Sequence, residues 1–146
     1  MTSTTFSRTS SDTLIDVRGP RFGAWITTAV LAVVLLTGSG LLLLAQAVVF
    51  ALGAKGRSPY AVLFAKVKPR LGPTTETEPQ APTLFAQTVG LGFAVVGTLG
   101  FLTGLTALAT IATAAALAAA FLNAAFGFCL GCEIYLILKR TKGATA

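Results

Sequence analysis

The chain has 146 residues, of which 54% are hydrophobic and 11% charged, with a formal net charge of +6 and no histidine. Soluble domains carry about a quarter charged residues, so the composition excludes an ordinary water-soluble fold and points to the membrane class. Every acid except Glu133 lies in Met1–Arg21 or Lys55–Thr83, which excludes paired-carboxylate and histidine chemistry inside the apolar segments.

Residues 1–16 are polar and rich in serine and threonine, without the basic, apolar and small-residue succession of a signal peptide. They are expected to form a disordered tail. Phe22–Ala54 carries no charge and is interrupted by Thr37-Gly38-Ser39-Gly40. One crossing of a bilayer core takes about twenty helical residues, so this block predicts two, roughly Arg21–Gly38 and Leu41–Lys55. The second is short: at about 1.5 Å per residue it spans little more than ~20 Å, which calls for local thinning or burial.

The segment RSPYAVLFAKVKPRLGP offers Ser58 as an N-cap and Pro59 as the first helical residue. Tyr60, Leu63, Phe64 and Val67 recur at helical spacing beside Lys66, Lys68 and Arg70. This pattern predicts a short helix lying among anionic lipid headgroups, with Tyr60 and Phe64 as its anchors. Gly72–Pro82 reads as a Pro- and Thr-rich linker. Leu84–Cys132 is again uncharged and is broken near Leu102–Thr106, giving spans Leu84–Thr103 and Leu105–Gly127. Gly90, Gly92, Gly97 and Gly100 would thin one face of the third span, and the alanine run Ala112–Phe126 would let neighbours approach the fourth. Gln46, Gln87 and Asn123 are polar positions in or at the ends of spans, read as hydrogen bonding between helices rather than as a pathway.

The fold class is therefore an all-α membrane protein: four transmembrane helices as two hairpins, each followed by a short basic interfacial helix, the second carrying Lys139 and Arg140. Residues 17–140 form a single domain with a loop over 55–83, and 141–146 are a second tail. Gly53 matches Gly127, Ser58-Pro59 matches Cys132-Glu133, and Lys66 matches Arg140 in one register, which allows an internal parallel repeat. All eleven basic residues lie in the two terminal segments and the middle loop, while the two glycine turns carry none. The positive-inside rule places both termini and the loop in the cytoplasm of a bacterial cell membrane. Because topology accounts for the charge, no nucleic-acid role is implied.

The two cysteines stand in FLNAAFGFCLGCEIYLILKR, at Cys129 and Cys132, ahead of Glu133. If an interfacial helix starts around Cys132, with Gly131 allowing the turn, both thiols sit near a helix N-terminus. That position lowers a thiol's pKa, and the spacing permits a disulfide or mixed-disulfide exchange. Cys132 would then be the more acidic thiol, Cys129 the resolving one, and Glu133 a proton acceptor. The plainer reading is two small apolar side chains, with Gly127 and Gly131 as a packing face. A permanent structural disulfide is at odds with a cytoplasmic position. Two thiolates make half a zinc set and no histidine exists to complete it, so neither a metal nor another cofactor is called for.

The segments DVRGPRFGA, AQAVVFALGA, SPYAVLF and LNAAFGFCLGCEIY resemble a bacterial family common in actinobacteria, known as a four-helix integral membrane domain of unknown function. The resemblance runs from about Asp16 to Arg140 and is most specific around the cysteines. It implies the four-helix topology and no activity. Members of such families are often encoded near thioredoxin-like and rhodanese-like sulfurtransferase proteins, which implies such a protein as a cytoplasmic partner.

Three functions compete. The first is thiol–disulfide exchange or sulfur relay through Cys129 and Cys132 with a thioredoxin-like or rhodanese-like partner, in a protein not expected to work as a stand-alone enzyme. The second is an accessory or scaffold subunit that oligomerises or packs on a larger membrane complex. The third is a small permease for a sulfur species.

Overall fold

The computed structural model describes residues 14–73 and 77–145. The tail before Leu14, residues 74–76 of the linker and Ala146 lie outside the described residues. In chain order the elements are β1 (Leu14–Asp16), α1 (Arg18–Thr37), α2 (Gly40–Ala54), α3 (Pro59–Leu71), β2 (Thr77–Pro79), α4 (Gln80–Thr103), α5 (Thr106–Phe126) and α6 (Leu130–Thr145). Helix dominates because an apolar chain satisfies its backbone polar groups within one segment only that way.

Each boundary has a local cause. Gly38 adopts φ 67° and returns its N–H to Val34, which ends α1. Ser39 then caps α2, its hydroxyl accepting from the Leu42 N–H at 3.1 Å. Pro59 opens α3 where a missing N–H is harmless. Ser58 holds the N-cap position there, but no cap bond reaches its side chain. α4 starts four positions before the expected Leu84, because Pro82 is tolerated in a first turn.

α1, α4 and α5 are each long and apolar enough to cross a membrane. α2, at 15 residues, qualifies only jointly with α3, from which it is bent by 73°. The surface is apolar and the interior small: Leu36 is 86% exposed, while Ala94, Ala109 and Ala124 are almost fully buried. That distribution is what lipid as solvent allows, since tails are as apolar as leucine and association depends on close packing. Leu31, Val34, Leu43, Ala47, Phe50, Ala94 and Ala116 form the core. Gly97 and Gly100 bring α4 so close to its neighbours that an added Cβ would stand 2.7 Å from Leu43 and 2.9 Å from Ala109. The expected thin face of α4 is thus present at these positions. Gly92 is not part of it, as it faces open space.

The helices of the two halves interlock. α1 packs most extensively on α5, and α4 on α2. α3 lies against α1, and α6 against α4. The turns after α1 and α4 make one end of the bundle, with Gly40 packed on Phe101. The other end gathers the start of α1, the end of α5, α3, α6 and the small sheet. There β1 pairs antiparallel with β2, Ile15 opposite Glu78. Leu14–Asp16, at the end of the polar tail, and Thr77–Pro79, within the Pro- and Thr-rich linker, are the two short strands. Asp16 holds this corner: Arg18 donates to it at 2.9 Å, and Lys68 of α3 stands 3.7 Å away. Arg18 also donates to the carbonyls of Leu71 and Gly72.

Candidate functional site

Gly127 adopts φ 70° and its N–H returns to Asn123. The Phe128 N–H reaches back to Leu122, closing a Schellman-type end to α5. The chain therefore turns at once, and α6 begins at Leu130, not around Cys132. Cys129 becomes the N-cap residue: its carbonyl accepts the Glu133 N–H at 3.0 Å, and its Sγ accepts the Cys132 N–H at 3.2 Å. The helix start thus corresponds to Pro59 at Leu130, not at Glu133 as the sequence register had it. Gly131 does not make the turn, which belongs to Gly127. Gly131 sits inside α6, where an added Cβ would be 2.6 Å from the Ala86 Cβ, so its smallness lets α6 press onto α4. One turn on, the rings of Phe85 and Tyr135 lie 5.6 Å apart and continue that contact.

Cys129 and Cys132 are joined by a disulfide. Both are partly buried and stand on the wall of a cavity of about 740 Å³ that runs from this end into the bundle. Ala24 and Thr27 of α1, Phe50 of α2, Gly90 of α4, and Ala116 and Ala120 of α5 line its inner part. The packed core around Leu31 and Leu43 lies beyond it. Arg21, Gln87, Asn123 and Glu133 supply polar groups along the same wall.

Of the residues the sequence singled out, Cys129, Cys132, Glu133, Gln87 and Asn123 come together here. Gln46 does not. It is 1% exposed and its Oε1 accepts a hydrogen bond from the Tyr60 hydroxyl at 2.8 Å, while its Nε2 has no partner among the described residues. Phe64 of α3 is buried against Phe22 and Gly19, and Tyr60 packs on Gly23. Periodicity marked their face correctly, but that face meets α1. Lys66, Lys68, Arg70, Lys139 and Arg140 are exposed. Among the described residues no three of His, Cys, Asp and Glu cluster as metal ligands.

Two residues of this end went unrecognised in the sequence. Asp16 is the buried acid of the corner, and its carboxyl is held down at about 2, first by the hydrogen bond from the Arg18 side chain. Arg21 donates to the Ala124 carbonyl at 3.3 Å, placing a cation at the α5 C-terminus. Their only signal was position, as charged residues at the threshold of the first apolar block.

The family model described as Domain of unknown function (DUF4395) matches residues 15–140. Comparison with the curated proteins and with the solved structures finds no match.

Proposed function

Because the chain belongs to DUF4395, a family of unknown function, its activity has to be read from its own residues, and we propose that it is an integral membrane thiol–disulfide exchange protein. One observation carries this reading: a C-x-x-C disulfide at the N-terminus of a helix, with the Cys129 sulfur already accepting a backbone N–H.

Reduction gives Cys129 the more acidic thiol, since its thiolate keeps the Cys132 N–H and the positive end of α6. This reverses the order expected from the sequence. The Cys129 thiolate attacks one sulfur of a partner disulfide, a mixed disulfide forms, and the first partner thiolate leaves. Cys132 then gives up its proton, with Glu133 as the neighbouring acceptor. Its sulfur attacks Cys129, which restores the intrachain bond and releases the second partner thiolate. In the opposite direction the same steps oxidise a dithiol partner. The exposed position of Glu133 at the helix start suits a soluble partner of thioredoxin-like type.

Four crossings, by α1, α2, α4 and α5, put the basic residues at one end and the uncharged turns at the other. The positive-inside rule makes the basic end cytoplasmic in a cell membrane. The interlocked plan of the hairpins supports an internal parallel repeat. In this reading the exposed Lys66, Lys68, Arg70, Lys139 and Arg140 meet anionic headgroups.

Labelling with a membrane-impermeant maleimide tests the reading. Label is expected only in inverted vesicles and only after reduction. Label from the outside alone would overturn the orientation. Absence of label after reduction in both preparations would mean inert sulfur, and a scaffold role would replace the exchange role.

A further inference from the structure

The exchange site shares its wall with a cavity that a soluble partner does not need. Resting on the exchange reading, we infer that this cavity binds a lipid-soluble quinone that takes electrons from the reduced Cys129–Cys132 pair. Four features point to that class. The cavity lies between α1, α4 and α5, the helices apolar enough to span a membrane, so its ligand comes from lipid. Its volume, about 740 Å³, is that of a site for a small organic molecule. The inner surface offers alanine and glycine backbones suited to a flat ring, together with Phe50 and Phe93. The lining also includes Gln87 and Asn123, whose carboxamides are of the type that donates an N–H to a ring carbonyl.

The chemistry closes without a metal or flavin. The two thiols lose two electrons and two protons as the S–S bond forms, and the quinone gains both and leaves as the hydroquinone. Quinones are the terminal oxidants in a known route of membrane disulfide formation. The pair here would pass electrons from a soluble dithiol to the membrane pool. Ala116 and Ala120 are the walls that a larger side chain would close.

The test uses the full chain in liposomes, reduced with dithiothreitol and freed of it. A fully ring-substituted short-chain benzoquinone is then added, a choice that avoids addition of thiols to the ring. Expected are loss of quinone absorbance and return of the disulfide, one per protein per turnover, at least tenfold faster than in the Cys129→Ser/Cys132→Ser control. Ala120→Leu is expected to slow quinone reduction at least tenfold. The rate at which dithiothreitol reduces its cystine reports whether the variant still holds the site, and Ala116→Leu repeats the test from one turn away. A pair that exchanges with dithiols yet is reoxidised by the quinone no faster than the serine control overturns the quinone site and leaves the exchange reading standing. A pair that neither reduces nor labels brings down both.

Discussion

The two halves of the molecule follow one plan and fill it differently. α1–α2–α3 and α4–α5–α6 each run as two helices joined by a glycine turn and followed by a third laid back on the first. In the first half the returning helix brings aromatics: Phe64 is 6% exposed, and Tyr60 spans to Gln46 on α2. In the second half the return is made by Cys129, Gly131 and Cys132, whose small side chains leave the bundle open behind them. The first returning helix is packed for stability. The second is cut back until sulfur can be reached from both water and the bundle interior.

The contrast makes the first half the more sensitive to truncation. Phe64→Ala removes a buried ring from between Phe22 and Gly19 and is expected to cost about 3 kcal/mol in reversible unfolding in detergent. A change in the same assay as small as that of an exposed apolar residue such as Ile137 would mean that α3 is not packed for stability, and the comparison would fail.

Steric tolerance should run the other way. Gly131→Ala forces a methyl group into Ala86 and is expected to destabilise by about 2 kcal/mol and to slow disulfide exchange, because α6 must lift from α4. Gly23→Ala, whose added Cβ would meet Tyr60 at an ordinary 3.5 Å, is expected to be neutral or to stabilise by about 0.5 kcal/mol. Equal effects of the two alanines on the unfolding midpoint would show that the α6–α4 contact is no closer than the α3–α1 contact.

These pairs also show what the sequence could and could not reveal. The turns at Gly38 and Gly104, the short α2 and the cysteines at a helix start were all legible, because charge gaps, glycines and prolines act locally. Which cysteine caps α6 was not legible, since a three-residue difference in helix start depends on how Gly127 ends α5. Nor was the inward turn of Tyr60 and Phe64: an apolar stripe has a direction but does not name what it faces. The cavity has no linear signal at all. It is made by alanines and glycines on several helices, and in the sequence they look the same as residues that pack backbones together.

A polar contact divides the halves more finely. Tyr60→Phe removes the hydrogen bond to the Gln46 Oε1 and is expected to cost about 1 kcal/mol. Adding Gln46→Leu should recover most of it, as no buried amide is then left unpaired. A double variant no more stable than Tyr60→Phe would show that Gln46 has another partner and that this contact is not what ties α3 to α2.

The smallest effect concerns the corner where the first half receives β2 and the second half begins. The Asp16 carboxyl is held at about 2 by the Arg18 hydrogen bonds and the nearby Lys68, against an ordinary value of 3.8. The unfolded chain thus binds the proton more readily. The ion pair's contribution is complete above about pH 4 and is lost as the pH falls towards 2, so stability rises with pH across that window. The partner cations are solvent-accessible, Arg18 at 30% and Lys68 at 46%, and salt screens them, so the contribution is below about 1 kcal/mol. Asp16→Asn should lower the unfolding midpoint slightly at neutral pH and reduce its slope between about pH 2 and 4, while leaving the reduction of the cystine by dithiothreitol unchanged. If exchange slowed together with the loss of this pair, the corner would be coupled to α6. The two halves could then no longer be treated as one packed element and one working element.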